Sequence, residues 1–419
     1  MNFFQSFKPI FISLSPNTEK DDISLALKLM FKSKIWKRGK KIKELEEELR
    51  KYLGVKQAIT FNSGRSAFLA ILKSLGLKKG EEVLLQAFTC NAAVNSIIWS
   101  DLKPLFVDID ETLNLDPKDL KRKITEQSRV VMIQHMFGHP AKLDEILKIC
   151  KENNLILIED CAHSLGATYK GKKIGTFGKA SFFSFGRDKI ISSVYGGIAV
   201  TNDDILAKRI EDFQEKIDFP SNFWIFQQLL HPVLTNYLII PLYSFFEFGR
   251  WVLLTFQKLK ILSKSVHKKE KQGKKPSYIP KKMPNALAFL ALHQFKKLNR
   301  FNAHRKEIAK FYDKNLKNLR FVLPKKHSGR TYMRYPILIE NYDTDEILKQ
   351  ARKQKIFLND GWRKTPIVPP DTNQSKMGYT FGTCPQAEKV AKSILNLPIH
   401  INISKKDAQR IIKFLRWKF

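Results

Sequence analysis

Asp160 and Lys189 are the residues of this chain whose types and placing suggest covalent chemistry. Asp160 closes an apolar run, Leu155 to Ile158, that reads as a buried parallel strand, and Lys189 follows a second such run, Ala180 to Phe185. In open α/β sheets ligands bind at the carboxyl ends of strands, so an acid and an amine displayed there stand where a ligand would lie. A lysine amine condenses with the aldehyde of pyridoxal phosphate, and an aspartate on the pyridinium nitrogen keeps the ring protonated as an electron sink. With 74 Lys+Arg in the chain, a lysine near an acid is common by chance, so spacing alone carries little. The setting carries more. Ser184, Gly186, Ser192, Ser193, Gly196 and Gly197 surround the lysine and let backbone approach a phosphate and a ring closely.

The elements that must position this pair are legible in outline. From Gly80 the chain alternates EEVLLQA, a helix from Ala92 to Ser100, KPLFVDID, a helix after Asp116, RVVMIQHMFG, a helix from Lys142 to Asn154, and the Leu155 strand. That alternation predicts an α/β fold with a mostly parallel sheet and helices on both faces. Right-handed crossovers then place Ser63, Thr89, Asp160 and Ser184 along one edge. Ser63 ends a short strand, Gln57 to Asn62, and caps the helical run AFLAILKSLGL with Gly64 just inside, which makes a helix N-terminus fit for an anion. Two helices precede that strand between Asp21 and Leu53, and Tyr332 to Phe419 alternates strands and helices as a smaller α+β domain.

The run EDCAHSLGATYKGKKIGTFGKASFFSF, followed by Lys189 and Gly196-Gly197, resembles the core signature of the DegT/DnrJ/StrS-type sugar aminotransferases, a pyridoxal-phosphate-dependent family of fold type I. The similarity extends upstream to FNSGRSAFLAIL and downstream to CPQAEKVAKSILNLPIH. It implies a large cofactor-binding domain with N-terminal helices over residues 1–216, an insertion over 217–282, and a long helix with a small C-terminal domain over 283–419. By the same resemblance Lys189 holds the cofactor aldehyde and shuttles a proton, and Asp160 faces the ring nitrogen. The turn Ser63-Gly64-Arg65 and the Ser184 hydroxyl take the phosphate, and His163 lies against the ring. Cys90 stands where a stacking aromatic is usual and offers less contact area. Arg65 replaces a small hydroxyl residue, and its guanidinium either joins the phosphate or points to solvent. An asparagine that reaches the partner subunit's phosphate is missing, which leaves Lys281 or Lys282 to remake the contact. Some relatives have histidine at the lysine position and act as dehydratases, and Lys189 argues against that branch.

The implied reaction converts a nucleotide-linked keto sugar into an amino sugar, with glutamate as donor, for a cell-surface polysaccharide or glycan. Relatives build each site from two subunits, and the apolar helix Ala286 to Leu298 has more hydrophobic surface than one small domain covers, so a homodimer is expected. A net charge of +34 raises nucleic acid as a partner, but no zinc-finger spacing, RNP-like motif or helix-turn-helix accompanies it, so none is expected. His135 and His139 lack a third ligand, so no metal is expected either. Four cysteines without CxxC spacing and a start without a signal-peptide pattern point to the cytoplasm.

The insertion opens with an uncharged run, Asn222 to Phe246, and continues into lysine-rich sequence from Lys258 to Lys282. Pro232 and Pro241 interrupt the run, and Trp224, Tyr237, Tyr243 and Trp251 are types favoured at headgroups. Two broken helices lying on an anionic membrane through residues 219–275, at its inner face, are one expectation. An extra hydrophobic layer at a dimer interface is the other. A membrane-bound scaffold or polyanion-binding protein with a decayed cofactor pocket is the alternative for the whole chain.

Overall fold

The computed structural model describes residues 8–245, 247–317, 321–340 and 342–418. Seven strands form the central sheet: β1 (Gln57–Phe61), β2 (Glu82–Gln86), β3 (Lys103–Val107), β4 (Ser128–Gln134), β5 (Ile156–Asp160), β6 (Ala180–Ser184) and β7 (Gly197–Thr201). Their order is β1-β7-β6-β5-β4-β2-β3, and every neighbouring pair is parallel except those of β7. Val83 to Leu85 and Val130 to Ile133 are wholly buried, as strands covered by helices on both faces must be.

The order matters for the site. The carboxyl ends of β1, β5 and β6 share an edge with the amino end of β7, where Gly197 pairs with both Phe61 and Ser184. A Cβ on Gly197 would lie 2.4 Å from the Gly64 nitrogen, so glycine is what lets the first turn of helix Gly64–Ser74 settle onto the sheet. Ser63 caps that helix, its Oγ accepting the Ser66 N–H at 3.2 Å. Thr89, expected on the same edge, is drawn into a short parallel ladder in which Thr89 and Cys90 pair with Ile367 and Val368. That ladder pulls the loop after Asn359 over the sheet edge.

A second hydrophobic cluster joins helices Leu298–Leu316 and Lys405–Lys418 to the antiparallel pair Tyr335–Leu338 and Ile394–Leu397. The expected long helix is two, Asn285–Phe295 and Leu298–Leu316, divided at Lys296 and Lys297. The first of these is apolar all round because it is interior: Ala286, Leu287, Ala288 and Ala291 are fully covered by helices Lys20–Met30, Lys41–Leu53 and Asn222–Leu234. Most of its apolar surface is thus used within the chain, with Phe289 and Phe295 only half-buried, so this helix does not by itself call for a second subunit.

The insertion also differs from expectation. Helix Asn222–Leu234 carries Pro232 inside it and continues through a π-helical stretch, Thr235–Ile239, before helix Phe248–Lys258 turns back. The first helix packs on helix Lys20–Met30 with Ile225 and Leu229 fully buried, so that face is spent inside the protein, while Phe223 stays exposed. Trp224 and Tyr243 are buried too, whereas Tyr237 and Trp251 are exposed. Phe246, the last residue of the uncharged run, and residues 1–7 of the chain's start lie outside the described residues. Among the described residues no helix is long and apolar enough to cross a membrane.

Candidate active site

A cavity of about 510 Å³ opens at the carboxyl edge of the sheet, and Ser63, Gly64, Arg65, Cys90, Asp160, His163, Ser184 and Lys189 all line it. At one end the Asp160 carboxylate accepts the Gln134 amide at 2.7 Å and the Ala162 N–H at 2.9 Å. Burial pushes this carboxyl up from its ordinary value, against the pull of those donors and of Lys189, so a positive partner facing it would be strongly held.

Lys189 sits between the two ends, its Nζ 3.1 Å from His163 Nε2. The Phe137 N–H points at His163 Nδ1 at 3.4 Å, so the ring is held between that backbone donor and the lysine amine. Burial, then the charges of Lys189 and Arg334, hold His163 well below the ordinary imidazole value, so it is neutral. Its ring stacks on Phe137 and meets the edge of Trp362 at 5.0 Å.

At the other end Gly64 faces Ser184. A Cβ on Gly64 would come 2.9 Å from Ser184 Cβ, so the two form a cradle that any side chain would fill. Arg65 departs from expectation here. Its guanidinium does not point to solvent but pairs with the fully buried Glu270 and donates to the Ser265 carbonyl at 3.2 Å, leaving the backbone N–H of the helix's first turn for an anion. Cys90 lines the cavity, and burial pushes its thiol up. Lys281 and Lys282 turn instead to Asp218 and the Glu215 carbonyl.

Several residues at the site escaped the sequence. Gln134 ends β4 one strand away from Asp160, a placing readable once the strand order is known. Asn17 donates to the Lys189 carbonyl, and Arg305, 1% exposed, donates to Asn17 Oδ1 at 2.6 Å and to the Ile190 carbonyl at 2.8 Å, so the lysine's backbone is pinned. Arg334 reaches Asp188 and Asp360, each at 3.4 Å. Burial would raise Asp188, but Lys189 and Arg334 beside it hold it below the usual carboxylate range. Asp360, Gly361 and Trp362 of the loop DGW close one wall, and Arg187, Leu253 and Gln257 close another.

Against known proteins, residues 17–217 and 255–416 match the DegT/DnrJ/EryC1/StrS aminotransferase family. The chain belongs to that family. Membership makes it a pyridoxal-phosphate-dependent sugar aminotransferase of α/β fold. The unmatched residues, 218–254, hold most of the insertion helices. The chain is similar to the uncharacterized protein MJ1066 of Methanocaldococcus jannaschii, at 30% identity over 386 residues, 90% of each chain. It is 28% identical over 370 residues to GDP-perosamine synthase of Escherichia coli O157:H7, 88% of this chain and 87% of that one. Among solved structures, Helicobacter pylori PseC, an aminotransferase involved in the biosynthesis of pseudoaminic acid, superposes with a TM-score of 0.74 at 23% identity, over 98% of this chain and 99% of that one.

The residues present fit pyridoxal phosphate. A buried acid held open by Gln134 stands at one end, a cradle without side chains at a helix N-terminus at the other, and a primary amine between them.

Proposed function

We propose that this cavity aminates a keto sugar carried on a nucleotide, drawing the amino group from glutamate. The observation that carries the reading is the single cavity shared by Asp160, Lys189 and the Gly64–Ser184 cradle. Asp160 would hold the cofactor's ring N–H, the backbone N–H groups of Gly64 and Arg65 with the Ser184 hydroxyl would hold its phosphate, and Cys90 and His163 would border the ring. When bound, the cofactor supplies an electron sink that makes a proton on the amino-bearing carbon removable. Lys189 takes that proton at Nζ and returns it. His163, neutral and fixed by the Phe137 N–H, orients the lysine, and Trp362 keeps water from that wall.

Residues 1–216 carry the cofactor in this reading, 217–282 cover the cavity, and 283–419 bring the closing loop. The nucleotide sugar is supported by what relatives are named for, GDP-perosamine synthase among them, and a glycan of the cell surface is the matching destination. We further read the enzyme as a homodimer that stays on the cytoplasmic side, seated peripherally at the inner face of an anionic membrane. The test incubates the holoenzyme with glutamate and a nucleotide-linked 4-keto sugar and looks for the amino sugar by mass spectrometry. Borohydride should also fix a pyridoxyl group on the peptide bearing Lys189. A protein that takes up no cofactor and yields no such peptide would favour the scaffold with a decayed pocket.

A further inference from the structure

The geometry points to helix Phe248–Lys258 as a membrane-docking element that seats its outer face on anionic lipid while its inner face walls the active site. This deepens the membrane seat proposed above and rests on it. Phe248, Trp251 and Leu254 recur at three-residue spacing and are 56%, 64% and 46% exposed, with Phe245 at 70% and Tyr237 at 61% beside them in the chain. Scattered exposed apolar residues are ordinary; large aromatics gathered on one helix and the turn before it are not. The reverse of the helix is occupied: Val252, Leu253 and Phe256 pack with Phe11, Ile239, Tyr243 and Leu262. Leu253 and Gln257 reach the cavity.

The charges say what covers the outer face. Between Arg250 and Lys282 the sole acid is Glu270, and it is buried against Arg65. Arg250, Lys258, Lys260, Lys268 and Lys269 are exposed, and among the described residues none of them has an ion-pair partner. Glu247, at the head of the helix, is committed to Arg352. A second copy of the chain docked through this face would bring Arg250, Lys258 and Lys260 against the same cations, whereas anionic headgroups supply the missing counter-charge. Tryptophan and tyrosine flanked by lysine suit the boundary between acyl chains and headgroups. The cavity then lies about one helix diameter, ~10 Å, from the lipid.

The test uses the holoenzyme with phosphatidylcholine vesicles containing or lacking phosphatidylglycerol. At low salt it should co-float with the anionic vesicles, with its tryptophan emission shifted to the blue, and high salt should release it. Phe248→Ser with Trp251→Ser changes only exposed side chains and should cut partitioning by about tenfold or more. Lys258→Glu with Lys260→Glu should cut it by a similar factor, about tenfold or more, on anionic vesicles only. Retained cofactor absorbance in both variants keeps this outcome separate from the aminotransferase reading. A wild-type protein that does not co-float at low salt overturns the proposal, as does co-flotation that neither variant weakens. Light scattering that finds the two serines splitting an oligomer, with no vesicle binding to lose, overturns it in favour of an interface between copies.

Discussion

Glu270→Gln is the substitution whose cost can be worked from contacts. Glu270 is fully buried, and its carboxylate carries the Arg65 guanidinium, the Tyr278 hydroxyl at 2.8 Å and the His267 N–H at 2.9 Å. Arg65 is itself only 10% exposed, so the amide leaves a guanidinium inside the protein without a counter-charge. Removing one partner of a buried pair costs about 3–5 kcal/mol. Glutamine keeps one acceptor, and Arg65 keeps the Ser265 carbonyl and the Tyr195 ring at 5.8 Å, so the lower end, about 3 kcal/mol, is the better expectation. The pair ties residues 265–278 to the first turn of helix Gly64–Ser74, so the loss should appear as local opening. Amide hydrogen exchange in that segment should accelerate by roughly 150-fold, the equivalent of about 3 kcal/mol. Arg65→Met combined with Glu270→Leu removes both charges and should exchange much more slowly than the single variant. Unchanged exchange in Glu270→Gln would show that the pair is not what holds this segment, and the reasoning about Arg65 would fall with it.

Lys189→Ala should abolish transamination while cofactor still binds, and borohydride should no longer fix it to the chain; residual turnover would remove Lys189 from its role. Gly64→Ala puts a methyl 2.9 Å from Ser184 Cβ and should weaken cofactor binding about tenfold in an absorbance titration, and an unchanged affinity would discard the cradle. Burial, with Arg330 beside it, pushes His139 from 6.5 down to about 4. The unfolded chain therefore takes up a proton there that the folded chain refuses, and stability should fall as pH drops from about 6.5 toward 4. His139→Asn should flatten that part of a denaturation series, and an identical acid limb would contradict the assignment.

Asp160 and Lys189 were legible because each follows a strand whose apolar run is continuous, and strand ends in such sheets converge. Ser63 and Gly64 were legible because capping chemistry is local. Arg65 was not: its partner lies 205 residues downstream in a lysine-rich stretch, and only tertiary structure makes Glu270 its counter-ion. Helix Asn285–Phe295 was misread for a related reason. A helix apolar on every side suits an interior place and an interface equally, and the helices that cover it come from three distant parts of the chain. Trp224 and Tyr243 read as headgroup residues by type, but Trp224 sits in a helix packed on helix Lys20–Met30 and Tyr243 packs on Phe11 and Phe357. Trp362 offered only the short string DGW, and its place against His163 depends on the ladder that draws Ile367 and Val368 to Thr89 and Cys90.

Arg334 spans two carboxylates from distant parts of the chain: Asp188, adjoining Lys189, and Asp360, two residues before Trp362 on the cavity wall. Steric closure and local charge are thereby wired to one guanidinium. Asp188 also feels the charges of Lys189 and Arg187, whereas the cation against Asp360 is Arg334 itself. One guanidinium therefore serves both carboxylates, and a shift of the loop carrying Asp360 and Trp362 would be felt as a change of charge balance at the residue next to Lys189.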